Sequence, residues 1–230
     1  MSSEKVVVSI GGSILIPDVN DSNYITELTA LIRDVVSENI QLVVVCGGGK
    51  IARYYANTGR ELGGNEYQLD ELGIGVTRLN AGLLAISLGD ISSTDIPLTA
   101  EDTASRSGEG NVIVMGGTEP GHTTDAVAAM VARALGAERI VNATSVDAVY
   151  SEDPKKNPDA ERYSKLTIKE LGNLIYKEHG ASRSGVFDPL GVKIAEENHI
   201  DIAIVDGRNL DELKNAILGK EINGTHVSSK

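Results

Sequence analysis

Short apolar runs alternate with amphipathic stretches along almost the whole chain. Residues 6–10, 42–45, 112–115 and 140–143 are almost wholly apolar, the pattern of strands buried on both faces. Residues 200–205 alternate, 96–99 and 146–150 are shorter strand candidates, and 222–227 reads as an added edge strand. Helical spacing fills the gaps between them. Ile25, Leu28, Ile32, Val35 and Val36 mark one helix, and a second starts near Gly49 and carries Ile51, Ala52 and Tyr55. After a break at 59–64, Leu72, Val76, Leu79, Leu83 and Ile86 mark a third that ends near Gly89. Residues 101–110 predict a short polar helix with a loop, and 125–135 an alanine-rich helix stopped by Gly136. Thr167 and Glu170 have capping-box spacing before a helix that runs to about Lys177. Asp188-Pro189 caps and opens the next helix, and Asn209 with Glu212 caps the last, which Gly219 stops. Residues 151–160 read as a polar loop and 182–187 as a polar turn.

Strands that alternate with helices predict an α/β fold, a mainly parallel sheet covered by helices on both faces. Ligands of such folds bind at the carboxyl ends of the strands. Three glycine-rich turns, 11–13, 47–49 and 116–121, each follow a predicted strand, so all three should open onto one crevice. The stretch 112–125, V-I-V-M-G-G-T-E-P-G-H-T-T-D, is the most informative. It is a strand, a turn that exposes backbone N–H groups, and a helix start. The free N–H groups and the helix dipole attract an anion there. Neither the P-loop spacing nor the dinucleotide spacing of glycines is present.

Composition narrows the ligand. The formal net charge of −12 gives no basic face for nucleic acid, and one Phe and no Trp leave few rings to stack on bases. The 41% hydrophobic content of the 230 residues suits one large domain or two small lobes. Cys46 ends an apolar run and is expected to be buried; a reducing compartment and a soluble, cytoplasmic protein fit, with no apolar run long enough to span a bilayer. The four histidines are scattered, which argues against a zinc site. Lys50 and Arg53 fall in the first turn of a helix, where the dipole disfavours cations by roughly 0.3–1 kcal/mol. A bound polyphosphate would reverse that penalty. Asp125 reads either as an N-cap or as a carboxylate at a reacting phosphoryl group, and Thr124 could equally serve as the cap.

Four motifs, I-G-G-S (10–13), G-G-G-K-x-A-R (47–53), G-G-T-x-P-G-H-T-T-D (116–125) and S-V-D-A-V-Y-S-E-D-P (145–154), together resemble the amino acid kinase family, and within it the archaeal-type uridylate (UMP) kinases. The resemblance implies a three-layer α/β/α sandwich forming a single domain over 1–230. Its part up to about residue 137 would hold the monophosphate and the remainder ATP. It implies transfer of the ATP γ-phosphoryl to UMP with Mg²⁺, in pyrimidine nucleotide synthesis, by a homohexamer. Gly11, Gly12, Gly49 and Arg53 would meet the donor phosphates, and Thr144, Tyr150 and Asp153 the ATP base and ribose. Gly48 would approach the UMP phosphate and Asp70 the UMP ribose. Thr118, Glu119, Pro120, Gly121, His122, Thr123 and Thr124 would wrap the UMP. Asp125, Lys193 and Lys50 are the catalytic candidates, and no protein metal ligand is assigned. Many members carry a lysine where this chain has Ser9, although the archaeal type also lacks it. The usual glycine of the V-D-G-V-Y motif is Ala148 here, which requires a negative φ. Two alternatives remain: a sister kinase acting on carbamate, an acylated amino acid or isopentenyl phosphate, or a non-catalytic nucleotide-binding storage or sensor protein.

Overall fold

The computed structural model describes residues 3–17, 21–108, 110–178 and 186–229. Most of the turn expected at 182–187, and His179, lie outside the described residues. In chain order the elements begin with β1 (Glu4–Ile10), α1 (Gly12–Leu15), α2 (Asp21–Ser37), β2 (Ile40–Cys46), α3 (Gly49–Glu61) and α4 (Glu66–Leu88). Then come α5 (Ala100–Arg106), β3 (Val112–Met115), α6 (Thr124–Leu135), β4 (Arg139–Thr144), and the arms β5 (Val149–Tyr150) and β6 (Arg162–Tyr163) of a small hairpin. The chain closes with β7 (Lys165–Thr167), α7 (Ile168–Glu178), α8 (Pro189–Glu197), β8 (Asp201–Asp206), α9 (Leu210–Ile217) and β9 (Thr225–Ser228).

Seven strands form one sheet in the order β3-β2-β1-β4-β8-β9-β7. The first five are parallel, and β9 runs antiparallel to β8. Because side chains alternate along a strand, β1 feeds two cores. Val6, Val8 and Ile10 pack with Leu28 and Ile32 of α2 and Ile217 of α9. Val7 packs on the other face with Val127 and Val131 of α6 and Val192 of α8. Each such fully buried aliphatic chain contributes about 1.5–3 kcal/mol. The result is helix, sheet, helix, the sandwich that the motifs implied.

α6 shows how the sequence sets a boundary. Thr123 is its N-cap, with Oγ1 accepting from the Ala126 N–H at 3.2 Å, and Gly136 ends it in the left-handed conformation. Asp125 is therefore inside the first turn and is not the cap. The capping box at Thr167 forms as expected: Glu170 N–H donates to Thr167 Oγ1, and the Glu170 carboxylate accepts from Thr167 N–H.

Three expectations change. Residues 96–99 form no strand, since Pro97 has no N–H to give a ladder; only Ser92 makes a single bridge to Val112. The C-terminal strand is β9, which lies inside the sheet between β8 and β7 instead of at its edge. The third change is α4, which is turned inside out. Leu72, Leu79, Leu83 and Ile86 are exposed, from 41% at Leu72 to 71% at Leu79. Its buried face carries Val76, Leu84 and Leu88 but also Thr77 and Asn80. By length and composition alone Glu66–Ile91 could cross a membrane, with a mean hydropathy of 1.4. In the fold it is a layer packed against α3, β2 and β3.

Candidate active site

The three glycine turns follow β1, β2 and β3, which are neighbours in the sheet, so they open side by side at its carboxyl edge. The turns lock to the adjacent strand ends. Gly47 N–H donates to Ile10 O at 2.8 Å, and Gly11 N–H to Ala143 O at 2.9 Å. Gly207, which follows β8, repeats the pattern by donating to Thr144 O at 2.8 Å. Gly12 and Gly49 touch backbone to backbone. A Cβ on Gly12 would lie 2.2 Å from Gly49 N, and Gly49 itself has a φ of +63°. No L side chain fits that contact, so glycine here is required by packing before any ligand is considered.

α4 holds the other two turns in place. Asn80 Nδ2 donates to Gly47 O at 2.8 Å. Thr77 Oγ1 accepts from Gly117 N–H at 2.7 Å, and Arg78 donates to Gly117 O and Thr118 O at 3.1 and 2.9 Å. The Asp70 carboxylate accepts from Gly121 N–H at 2.8 Å. Sequence reasoning missed Thr77, Arg78 and Asn80 as residues that hold these turns. The available signal was two polar residues, Thr77 and Asn80, among the mainly apolar positions 72–88 of that helix.

Two cavities flank the turns. One, of about 260 Å³, lies over the β2–β3 end and is walled by Arg53, Asp70, Gly117, His122, Thr123 and Thr124. Thr118 Oγ1 and His122 Nδ1 beside it are buried and make no hydrogen bond; the His122 Nδ1 is 3.3 Å from Glu119 Oε1. Pro120 is half-buried on the same turn. The other cavity, of about 250 Å³, lies past β4 and is walled by Ser145, Ala148, Tyr150, Asp153 and Lys155. Tyr150 donates to Asp147, which also pairs with Arg162 at 3.1 Å. Ala148 is buried and has no positive φ, so its methyl is accommodated. Thr144 ends β4 between the two cavities. A larger cavity, of about 320 Å³, sits against β3 beside Asp90, Asp95 and Arg106, and no candidate site residue lines it.

Asp125 lies in the first turn of α6, directly after the glycine turn that follows β3. Ser9 Oγ donates to its Oδ1 at 2.7 Å. The residue keeps some accessible surface, but protein atoms crowd its carboxyl. Burial pushes that carboxyl up to about 6; the Ser9 hydrogen bond opposes the shift and the nearby Asp188 adds to it. Asp188 caps α8 through Leu190 N–H at 2.8 Å, and accepts from Thr123 Oγ1 at 2.8 Å. The N-termini of α6 and α8 are thus tied together.

The cations stand further out. Lys50 Nζ donates to Pro17 O at 3.2 Å. Lys193 is 3.9 Å from Glu197 one turn along α8, and its side chain is 63% exposed. Arg53 was expected at the donor phosphates, but it lines the cavity that Asp70 also lines. Among the described residues, no group of three or more His, Cys, Asp or Glu side chains could hold a metal.

Backbone N–H groups at a row of turns, flanked by two cavities, can hold two phosphorylated ligands end to end. Comparison with known proteins agrees with that geometry. A model described as the amino acid kinase family matches residues 4–206. A uridylate kinase of Methanobrevibacter smithii is 40% identical over 98% of this chain and 100% of its own length. One of Methanocaldococcus jannaschii is 41% identical over 97% and 99%. The crystal structure of the uridylate kinase from Archaeoglobus fulgidus superposes with a TM-score of 0.86 at 39% identity, covering 97% of this chain and all of that one. Sheet order, glycine turns and relatives matched nearly end to end lead to one assignment: the chain belongs to the amino acid kinase family.

Proposed function

We propose that the chain is a UMP kinase, which reversibly transfers the γ-phosphoryl of ATP to UMP and gives ADP and UDP. A UMP phosphate oxygen attacks the γ-phosphorus, and the bond to the β–γ bridging oxygen breaks as ADP leaves. The observation that carries this reading is the row of glycine turns set between the Asp70 cavity and the Tyr150 cavity. The near end-to-end similarity to proteins named uridylate kinase supports it. Such a transfer needs positioning and charge neutralisation and little covalent work by the protein.

UMP takes the cavity over β2–β3. Asp70 and the 118–124 turn meet its ribose and base, and Gly48, Arg53, Thr123 and Thr124 meet its phosphate. ATP takes the side past β4, with its base end at Tyr150 and Asp153 and its phosphates over Gly11, Gly12 and Gly49. The first part of the chain, to about residue 137, therefore serves the acceptor and the rest mainly the donor. Arg53 belongs to the acceptor because it shares a wall with Asp70. Asp125 orients the reacting centre. Lys50 and Lys193 supply charge to the transferring group, Lys193 by leaving Glu197. The phosphate oxygens of ATP would hold Mg²⁺, which favours them and water over an all-protein cage and would supply charge neutralisation there.

The exposed stripe of Leu72, Leu79, Leu83 and Ile86, with Tyr54 and Tyr67 nearby, supports assembly into a homohexamer, because such a patch is costly in water. The reaction belongs to pyrimidine nucleotide synthesis in the cytoplasm. A coupled assay with MgATP and UMP, CMP, AMP, carbamate, an acylated amino acid and isopentenyl phosphate tests the reading. UMP should give the highest kcat/KM. Preference for another acceptor would transfer the chain to a sister activity, and ATP binding without turnover of any acceptor would make it a sensor.

A further inference from the structure

Ser9 is the one polar residue in the β1 run V-V-V-S-I, and it is 1% exposed at the centre of the sheet. Its backbone lies in register with Val45 of β2 and Asn142 of β4. Ser9 shares the face of Val7, beneath α6, and Asn142 likewise shares the face of Ile140. Both polar side chains reach upward to the elements above them. Ser9 Oγ donates to Asp125 Oδ1 at 2.7 Å, and Asn142 Nδ2 donates to Val186 O at 2.8 Å, two residues before the α8 cap. The Thr123–Asp188 bond then joins the two helix starts. A buried hydroxyl in a central strand is disfavoured unless it is bonded. This one is bonded to Asp125, the single acidic residue of α6. Among the described residues, Asp188 is the ion whose charge acts on that carboxyl.

We propose that Ser9 is a positioning residue for phosphoryl transfer, a neutral hydroxyl that fixes the rotamer of Asp125 beneath the N-termini of α6 and α8. The inference rests on the reading of Asp125 as the organiser of the reacting centre. It also assigns a role to the one position where the chain departs from the lysine carried by many of its family. β1 then contributes orientation to the centre and no charge. Losing the hydroxyl frees the carboxylate to rotate while both nucleotide cavities stay intact, so the effect should fall on kcat and spare the KM values.

The test uses the full chain with MgATP and UMP. Ser9→Ala should fold with a melting temperature close to the parent, lower kcat by about tenfold or more, and leave both KM values within about threefold. Ser9→Thr, which keeps the hydroxyl on a β-branched strand residue, should recover most of kcat. Asp125→Asn should be the more damaging change, and adding Ser9→Ala to it should cost nothing more, as expected for two groups acting as a unit. If Asp125→Asn cripples turnover and Ser9→Ala does not, the positioning role is wrong while the site stands. If Asp125→Asn itself leaves kcat unchanged, the reading of the centre fails first. Equal losses in Ser9→Ala and Ser9→Thr would mark a packing effect and overturn the proposal.

Discussion

Asp125 should make the fold less stable at neutral pH than it could be. Burial pushes its carboxyl up to about 6 in the folded chain, from the 3.8 of a freely solvated aspartate. The folded state therefore holds this proton more tightly than the unfolded state between those values. Stability from this residue is present below about pH 4 and is lost as pH rises to about 6, the reverse of a salt-bridged aspartate. A displacement of about two pH units corresponds to about 3 kcal/mol at pH 7.5. The replacement Asp125→Asn cannot ionise, keeps an oxygen for Ser9 Oγ, and gives up roughly 0.3–1 kcal/mol of attraction to the α6 N-terminus. The net expectation is a variant more stable than the parent by about 2 kcal/mol at pH 7.5, or about 4–8 °C in Tm for a chain of this size. Urea and thermal unfolding of parent and variant at pH 7.5 and 4.5 measure it. Every other titrating group is common to both proteins and cancels in the difference. The gain should shrink to about 1 kcal/mol or less at pH 4.5, while kcat collapses at either pH. A variant no more stable at pH 7.5, or a gain independent of pH, would refute the claim that burial strains this carboxylate.

Other outcomes follow from the same geometry. Asp70→Ala removes a charged hydrogen bond to Gly121, worth about 1.5–3 kcal/mol; KM for UMP should rise at least about tenfold while KM for ATP holds, and steady-state kinetics with each substrate varied would expose the opposite pattern. Gly49→Ala puts a methyl 2.5 Å from the Gly12 carbonyl carbon at a φ of +63°; a stability loss above about 2 kcal/mol is expected in chemical denaturation, and a neutral result would mean the turns pack more loosely. Tyr150→Ala should raise KM for ATP and spare KM for UMP, the mirror image of the Asp70 variant. Leu79→Glu charges the exposed stripe of α4, and analytical ultracentrifugation should find smaller species with an unchanged circular dichroism spectrum; an unaltered sedimentation coefficient would remove the stripe from the assembly.

How far the sequence reveals this arrangement depends on the local signal each residue carries. The buried parallel strands were legible because V-V-V runs ending in glycine have few other solutions. The caps at Thr167, Asp188 and Asn209 were legible because capping is local chemistry. The convergence of the glycine turns followed from strand order, and the structure bears it out. α4 was legible as a helix, but helical periodicity locates an apolar face without saying whether protein interior or another subunit covers it. Its inner face mixes Thr77 and Asn80 with aliphatics, and those two, with the exposed Asp70, satisfy turn backbones 33 to 51 residues away. The strand expected at 96–99 failed because one proline outweighs three apolar or β-branched neighbours. The Ser9–Asp125 bond spans 116 positions and has no local signature beyond one polar residue in an apolar run. Arg53 lines the cavity of Asp70, and motif order does not report which side of a turn a long side chain takes.

Central to the account is one shared crevice in which two nucleotides lie end to end. A bisubstrate compound joining adenosine and uridine through five phosphates measures that directly by titration calorimetry. It should bind once per chain, tighter than ATP or UMP by at least about a hundredfold as expected for linked sites, and be displaced by either nucleotide alone. Affinity no better than that of ATP, or insensitivity to added UMP, would contradict the shared crevice.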